Sequence, residues 1–193
     1  NIFSKILPPG ISVNIGFDTL RFYDRTSRGL LHIYGAIESG MSIGIHDYLL
    51  VASQYNVKEI RVKLNSPGGD VIEALAVYDL LVGCKKPITA TVVGLAASAA
   101  SMIILQAAHI RQALPHARLM VHEIRRFVLG VERQSETKRA VKEMEIIQSQ
   151  MLGILTGRTG HSVAEFVKLT KDGDCWMSAE EAKHWNLIDK IVE

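Results

Sequence analysis

Ser98 lies in a run of small residues, Gly94-Leu95-Ala96-Ala97-Ser98-Ala99-Ala100-Ser101, where a predicted strand gives way to a predicted helix. A serine there is a candidate nucleophile if three supports surround it. They are a base for its proton, a group that orients the base, and N–H donors for the oxyanion formed in acyl transfer. A helix entrance supplies free N–H groups and a partial positive charge, and alanine neighbours let a substrate backbone come close. Ser101, one turn further on, has the same chemistry, and residue type alone does not choose between them.

Each support has a candidate. Ser66-Pro67-Gly68-Gly69 follows an alternating stretch, and paired glycines permit positive φ and bare amides beside a ligand. The N–H of Gly69, joined by that of Ala99, makes a two-donor oxyanion hole. Taken by itself, Pro-Gly-Gly is also an ordinary turn. His122 closes a short strand, and imidazole, with an ordinary pKa of about 6.5, suits a base working near neutrality. It is one of 7 histidines, so chemistry does not single it out. Asp174 lies in a turn ahead of a capped helix, and Asp172 has equal credentials as the orienting carboxylate.

The elements that must carry these residues follow from periodicity. Residues 1–28 read as irregular, with Pro8-Pro9-Gly10 as a breaker. Strands are expected over 30–35, 59–65, 87–93, 109–114 and 118–122, the second from its alternation of apolar and charged residues. Helices are expected over 43–55, over 71–82 behind an Asp70/Glu73 capping pair, and over 97–108 after a break at Gly94. A long helix over 134–156 carries Val141, Met144, Ile147, Met151 and Leu155 on one stripe and stops at Gly157. Ser162/Glu165 and Ser178/Glu181 are capping boxes for two short helices. Strands alternating with helices predict an α/β layered fold built from crossover units, and 1–193 reads as one domain.

Composition narrows the function classes. The 22 Lys+Arg against 20 Asp+Glu give no field that would draw nucleic acid, and the basic residues are scattered. No apolar run is long enough to span a bilayer, so no membrane partner is expected. Residues 1–10 show no charged region followed by a hydrophobic core, so no secretory leader is expected. Cys84 and Cys175 are far apart with no metal spacing, which predicts two reduced thiols, no metal site and a cytoplasmic setting.

The motifs also resemble a known family. Asn65-Ser66-Pro67-Gly68-Gly69, Gly94-Leu95-Ala96-Ala97-Ser98, Leu114-Pro115 before Met120-Val121-His122, Asp174-Cys175-Trp176-Met177-Ser178-Ala179-Glu180-Glu181-Ala182 and Leu187-Ile188-Asp189 occur in the order found in the Clp protease proteolytic subunit (ClpP), over about residues 30–193. The resemblance implies the ClpP/crotonase-like fold, with residues 134–156 as a protruding handle helix. It implies a cofactor-free serine endopeptidase whose catalytic residues are Ser98, His122 and Asp174, with Gly69 and Ala99 as oxyanion donors. It also implies polypeptide substrates, homo-oligomeric rings (a heptamer or double heptamer) and, for housekeeping members, a Clp-type AAA+ ATPase that feeds the chamber.

One departure and one closer likeness stand out. The family usually has Gln-Pro and a Gly-Gly pair shortly after the histidine, where this chain has Glu123-Ile124-Arg125-Arg126-Phe127-Val128-Leu129-Gly130. The run from Gly94 to Ser101 looks particularly like phage-encoded relatives that mature viral heads without an ATPase, in a prohead inside the host cytoplasm. A non-catalytic ring subunit, or a CoA enzyme of the crotonase type, are the other readings that the same fold allows.

Overall fold

The computed structural model describes residues 25–125, 131 and 133–193. The irregular segment expected over 1–28 lies outside the described residues as far as residue 24, and so do Arg126 to Gly130. The described residues form a mostly parallel sheet, with one antiparallel strand at its edge and helices packed against it, in the order β1 (Leu30–Tyr34), α1 (Met41–Gln54), β2 (Ile60–Ser66), α2 (Val71–Val82) and β3 (Ile88–Ala97). Next come α3 (Ala99–Met102), a short 3-10 turn (Ile104–Ala107), β4 (Ile110–Ala113) and β5 (Arg118–Val121). The chain closes with α4 (Gln134–Thr159), α5 (Val163–Thr170), β6 (Cys175–Ser178), α6 (Ala179–His184) and β7 (Lys190–Ile191). No helix among the described residues is long and apolar enough to cross a membrane.

Alternation in β2 does what its sequence dictates. Ile60, Val62, Leu64 and Ser66 point into the core, while Arg61 and Asn65 face out. α2 follows immediately, burying Ala74, Val77 and Leu81 at helical spacing. The Asp70 side chain accepts the Glu73 N–H at 2.9 Å, as its sequence predicts. Glu73 does not return the bond. Its carboxylate instead takes the Ser42 N–H at 2.5 Å, which ties the start of α1 to α2 and holds the Glu73 carboxyl below its ordinary pKa.

The largest difference from the sequence reading falls at Gly94. β3 does not stop there but continues to Ala97 across a bulge. Leu64 pairs with Val92 and Ser66 with Ala96, so Asn65 alone faces Val93, Gly94 and Leu95. The Asn65 carboxamide closes the gap by accepting the Leu95 N–H at 3.0 Å. A Cβ on Gly94 would lie 2.9 Å from that same oxygen. The bulge also changes the neighbour of β3: residues before it pair with β4, and residues after it pair with β5.

The Ala-rich segment over 97–108 is likewise not one helix. α3 ends after Met102, Ile103 leaves helical geometry at φ −122 and ψ −70, and a 3-10 turn follows. Its residues are almost wholly buried, so packing against the core overrides alanine's helix propensity. α4 runs past Gly157 to Thr159 and ends at Gly160, whose left-handed φ of 78 makes it the C-cap. On the expected stripe, Met151 and Leu155 are buried but Val141 is exposed, so only the C-terminal third of α4 is seated on the core. Both predicted capping boxes are present at Ser162 and Ser178. β6 and β7 were not foreseen from sequence.

At the far end of the sheet, β4 and β7 are locked by a buried cation. Arg111 is 5% exposed, and its guanidinium donates to Asp189 Oδ1 at 2.5 Å and to Gln106 Oε1 at 2.6 Å. Burial alone would raise the Asp189 pKa, but the bonds from Arg111 outweigh it and hold the carboxyl below its ordinary value. This bond therefore stabilises the fold fully above the ordinary carboxylate range and is lost as pH falls through the depressed pKa. Asp189→Asn is expected to cost about 3 kcal/mol, because it strands a buried charge. Urea unfolding of the variant would show this, and its stability should also fall less steeply with acid than the parent's.

Candidate active site

The end of β3 and the end of β5 are neighbours because the two strands pair in parallel, with Leu95 on Arg118, Ala96 on Leu119 and Ala97 on Met120. One residue beyond, the Ser98 N–H donates to the Met120 carbonyl at 3.0 Å. His122 is two residues past Met120, so the sheet itself brings hydroxyl and imidazole together. His122 Nε2 lies 2.7 Å from Ser98 Oγ. The other ring nitrogen, Nδ1, is hydrogen-bonded to the Glu123 carbonyl. A carbonyl can only accept, so Nδ1 carries the proton and Nε2 is free to receive one from the hydroxyl.

Ser98 has φ 56 and ψ −129, a conformation that costs a non-glycine residue about 1–3 kcal/mol. It turns the chain sharply from strand to helix and lifts the hydroxyl out of the sheet, the geometry of a nucleophile elbow. Two observations show how it is held. Ser101 and Met102 N–H groups both donate to the Ser98 carbonyl, at 3.0 and 2.9 Å. Gly68 packs so closely that a Cβ there would sit 2.6 Å from Ser98 Cβ and 2.7 Å from the Ala97 carbonyl.

The glycine turn is clamped by Ile37. Its N–H donates to the Gly68 carbonyl at 2.9 Å and its carbonyl accepts the Asp70 N–H at 2.9 Å. This bridge leaves the N–H of Gly69 on the side away from Ile37. The N–H of Ala99 precedes the first bonds of α3. Because α3 has only four residues, these local N–H groups, rather than a helix dipole, carry the electrostatics. Gly69 and Ala99 border one cleft of about 220 Å³ together with Ser98, His122 and Arg125. Val71, Met102, Ile124 and Met151 form its apolar wall.

Ser101, the rival of Ser98, is fully buried and its hydroxyl is bonded to the Met120 carbonyl at 2.5 Å. It braces the elbow from behind. Asp174 is brought near by β6, which runs antiparallel to β5 with Val121 on Cys175. Continued one step past that last pair, the register would set His122 opposite Asp174. The carboxylate is not bonded to the imidazole, however. It forms an ion pair with Arg125. Asp172 would fall opposite Ile124 in the same register. Among the described residues no group of three His, Cys, Asp or Glu side chains is arranged to hold a metal.

A comparison with known families bears on this arrangement. Residues 19–193 match the family model described as Clp protease. The chain belongs to the Clp protease family. Membership makes it a peptidase acting on polypeptides, and the mixed α/β sheet is the fold that goes with it. Sequence reasoning did not find the Arg125 contact with Asp174, although Arg125 stands in the very stretch that departs from the family pattern.

Gly68 supplies the test of this geometry. With φ +91 and a Cβ that collides with Ser98, Gly68→Ala must move either the turn or the elbow. A displacement of about 1 Å at a reacting atom costs about a hundredfold in rate. Fluorophosphonate labelling of the variant, followed by mass spectrometry, should slow by about that factor.

Proposed function

We propose that this Clp protease is a serine endopeptidase in which Ser98 is the nucleophile, His122 the general base and Asp174 the carboxylate that orients and stabilises the imidazolium. The observation that carries the reading is the 2.7 Å contact between His122 Nε2 and the hydroxyl of Ser98, which is held on a strained elbow. Attack on a peptide carbonyl transfers the Ser98 proton to Nε2 as the Oγ–C bond forms. The N–H groups of Gly69 and Ala99 receive the oxyanion. Collapse breaks the C–N bond, and the Nε2 proton leaves on the departing amine. Water then attacks the acyl-enzyme with His122 again as base, releasing the new carboxylate and restoring the serine.

The β5–β6 register supports Asp174 over Asp172 for the third role, since one further step past its last pair, Val121 on Cys175, leads from His122 to Asp174. Completing the relay requires the carboxylate to leave Arg125 and accept from Nδ1. That exchange is cheap, because the Arg125 and Asp174 side chains are 61% and 31% exposed and such pairs are worth about 0–1 kcal/mol.

Rings enclosing the active sites complete the proposal. Large apolar side chains on α1 (Ile43, Leu50) and α2 (Ile72, Val82) are exposed, as expected of faces that meet other copies. Folded substrates would reach such a chamber through a Clp-type AAA+ ATPase.

Fluorophosphonate labelling and casein cleavage should vanish in Ser98→Ala. Ser101→Ala should keep both, at reduced stability. Labelling that follows Ser101 instead would overturn the assignment, and comparing casein cleavage with and without a Clp-type ATPase and ATP tests the chamber. Arg125→Gln frees Asp174 for the imidazole, so peptidase kcat should rise severalfold. Rising ionic strength should increase the parent's rate while leaving this variant's unchanged. A fall in kcat would instead give the guanidinium a direct part in catalysis.

A further inference from the structure

His122 is the last residue with a strand behind it. The residues that follow leave the sheet at the lip of the cleft, and nothing in the β5 ladder fixes their path. Three bonds are made there. His122 Nδ1 meets the Glu123 carbonyl, Arg125 meets Asp174, and the Ile124 N–H donates to Gln148 Oε1 at 2.9 Å. The first joins adjacent residues and moves with them. The second joins two side chains near solvent. Of the three, the Gln148 bond alone ties the segment's backbone to another element.

Gln148 is well placed for this. It lies on α4 three and seven residues before Met151 and Leu155, on the face that seats the helix on the core. Met151 is 3% exposed and lines the same cleft as Ser98. A half-buried carboxamide at position 148 has a reason to exist only if a polar group faces it. That group is the Ile124 N–H, which donates to Gln148 Oε1 at 2.9 Å.

We propose that Gln148 is a positioning residue for the Ser98–His122 pair, fixing the histidine-bearing segment to the anchored end of α4 through the Ile124 N–H. The inference rests on the peptidase reading of this site. Without the acceptor, the segment gains freedom, and the imidazole spends less time within proton-transfer distance of the hydroxyl. Val71, Met102 and Met151, the rest of the apolar wall that receives substrate, stay in place, and only Ile124 moves with the segment. The loss therefore falls on kcat more than on KM.

The test compares Gln148→Leu, Gln148→Ala and Gln148→Glu in the full chain, with a peptidyl aminomethylcoumarin bearing leucine before the leaving group. The Leu and Ala variants should lose about tenfold in kcat with KM changed less than about twofold. The Glu variant keeps an oxygen acceptor and should recover most of the rate, a rescue that a merely structural role would not give. Parental kcat in both Leu and Ala variants, or a Glu variant as impaired as Leu, would overturn the proposal. A parent that neither cleaves the peptide nor labels at Ser98 would overturn the peptidase reading instead. The bond is then judged by residue-resolved amide exchange. Ile124 should be protected in the parent and fast in Gln148→Ala, and an Ile124 amide unprotected in the parent would overturn the positioning role.

Discussion

The bulge of β3 opposite Asn65 is the constraint on which the remaining geometry depends. Two residues of β2 are matched to four of β3, and the surplus is absorbed by Val93, Gly94 and Leu95 under a single carboxamide bond. A regular strand would keep β4 as its neighbour to the end. The bulge re-aims the strand, so its last three residues meet β5 instead. The sheet is thereby forked. One arm, through β4 and β7, ends in the buried Arg111–Asp189 lock. The other, through β5 and β6, ends at Ser98, His122 and Asp174. The buried lock lies on one branch and the candidate catalytic groups on the other.

Small residues at the fork follow from the same constraint. The elbow at Ser98 is strained, and strain persists only where the surroundings over-determine it. Gly68 lies against its Cβ, Ser101 holds the Met120 carbonyl behind it, and Ala99 and Ala100 are wholly buried beneath it. Larger side chains at these positions would move the turn before they filled any space. The alanine and glycine run is therefore a packing solution around one awkward backbone conformation, and its low bulk also leaves amides open to the cleft.

Much of this was legible in the chain. Alternation gave β2, a capping aspartate and helical spacing gave α2, and two Ser-x-x-Glu boxes gave α5 and α6. Of the residues that the family resemblance marked, Ser98, His122, Gly69 and Ala99 line the cleft, and Asp174 is not in its lining. What periodicity missed has physical causes. Gly94 reads as a strand end because a glycine bulge and a glycine stop look alike locally. Residues 97–108 read as a helix because alanine propensity is visible and burial is not. β6 is only four residues long and carries Trp176 facing solvent, so it has no alternation to see. The Arg125–Asp174 pair joins residues 49 positions apart and leaves no local trace.

The resting arrangement of the aspartate is intelligible on energetic grounds. A carboxylate near water gains little from a half-exposed guanidinium, and little more from a neutral imidazole whose Nδ1–H already has the Glu123 carbonyl. The balance changes when the imidazole is protonated inside a substrate-filled cleft. A hydrogen bond between charged partners with water excluded is worth about 1.5–3 kcal/mol, more than the exposed pair it replaces. In the proposed reaction the carboxylate is thus drawn to His122 at the moment positive charge appears there. β5 and β6 end one residue short of His122 and Asp174, so the exchange needs a side-chain rotation and no movement of the sheet.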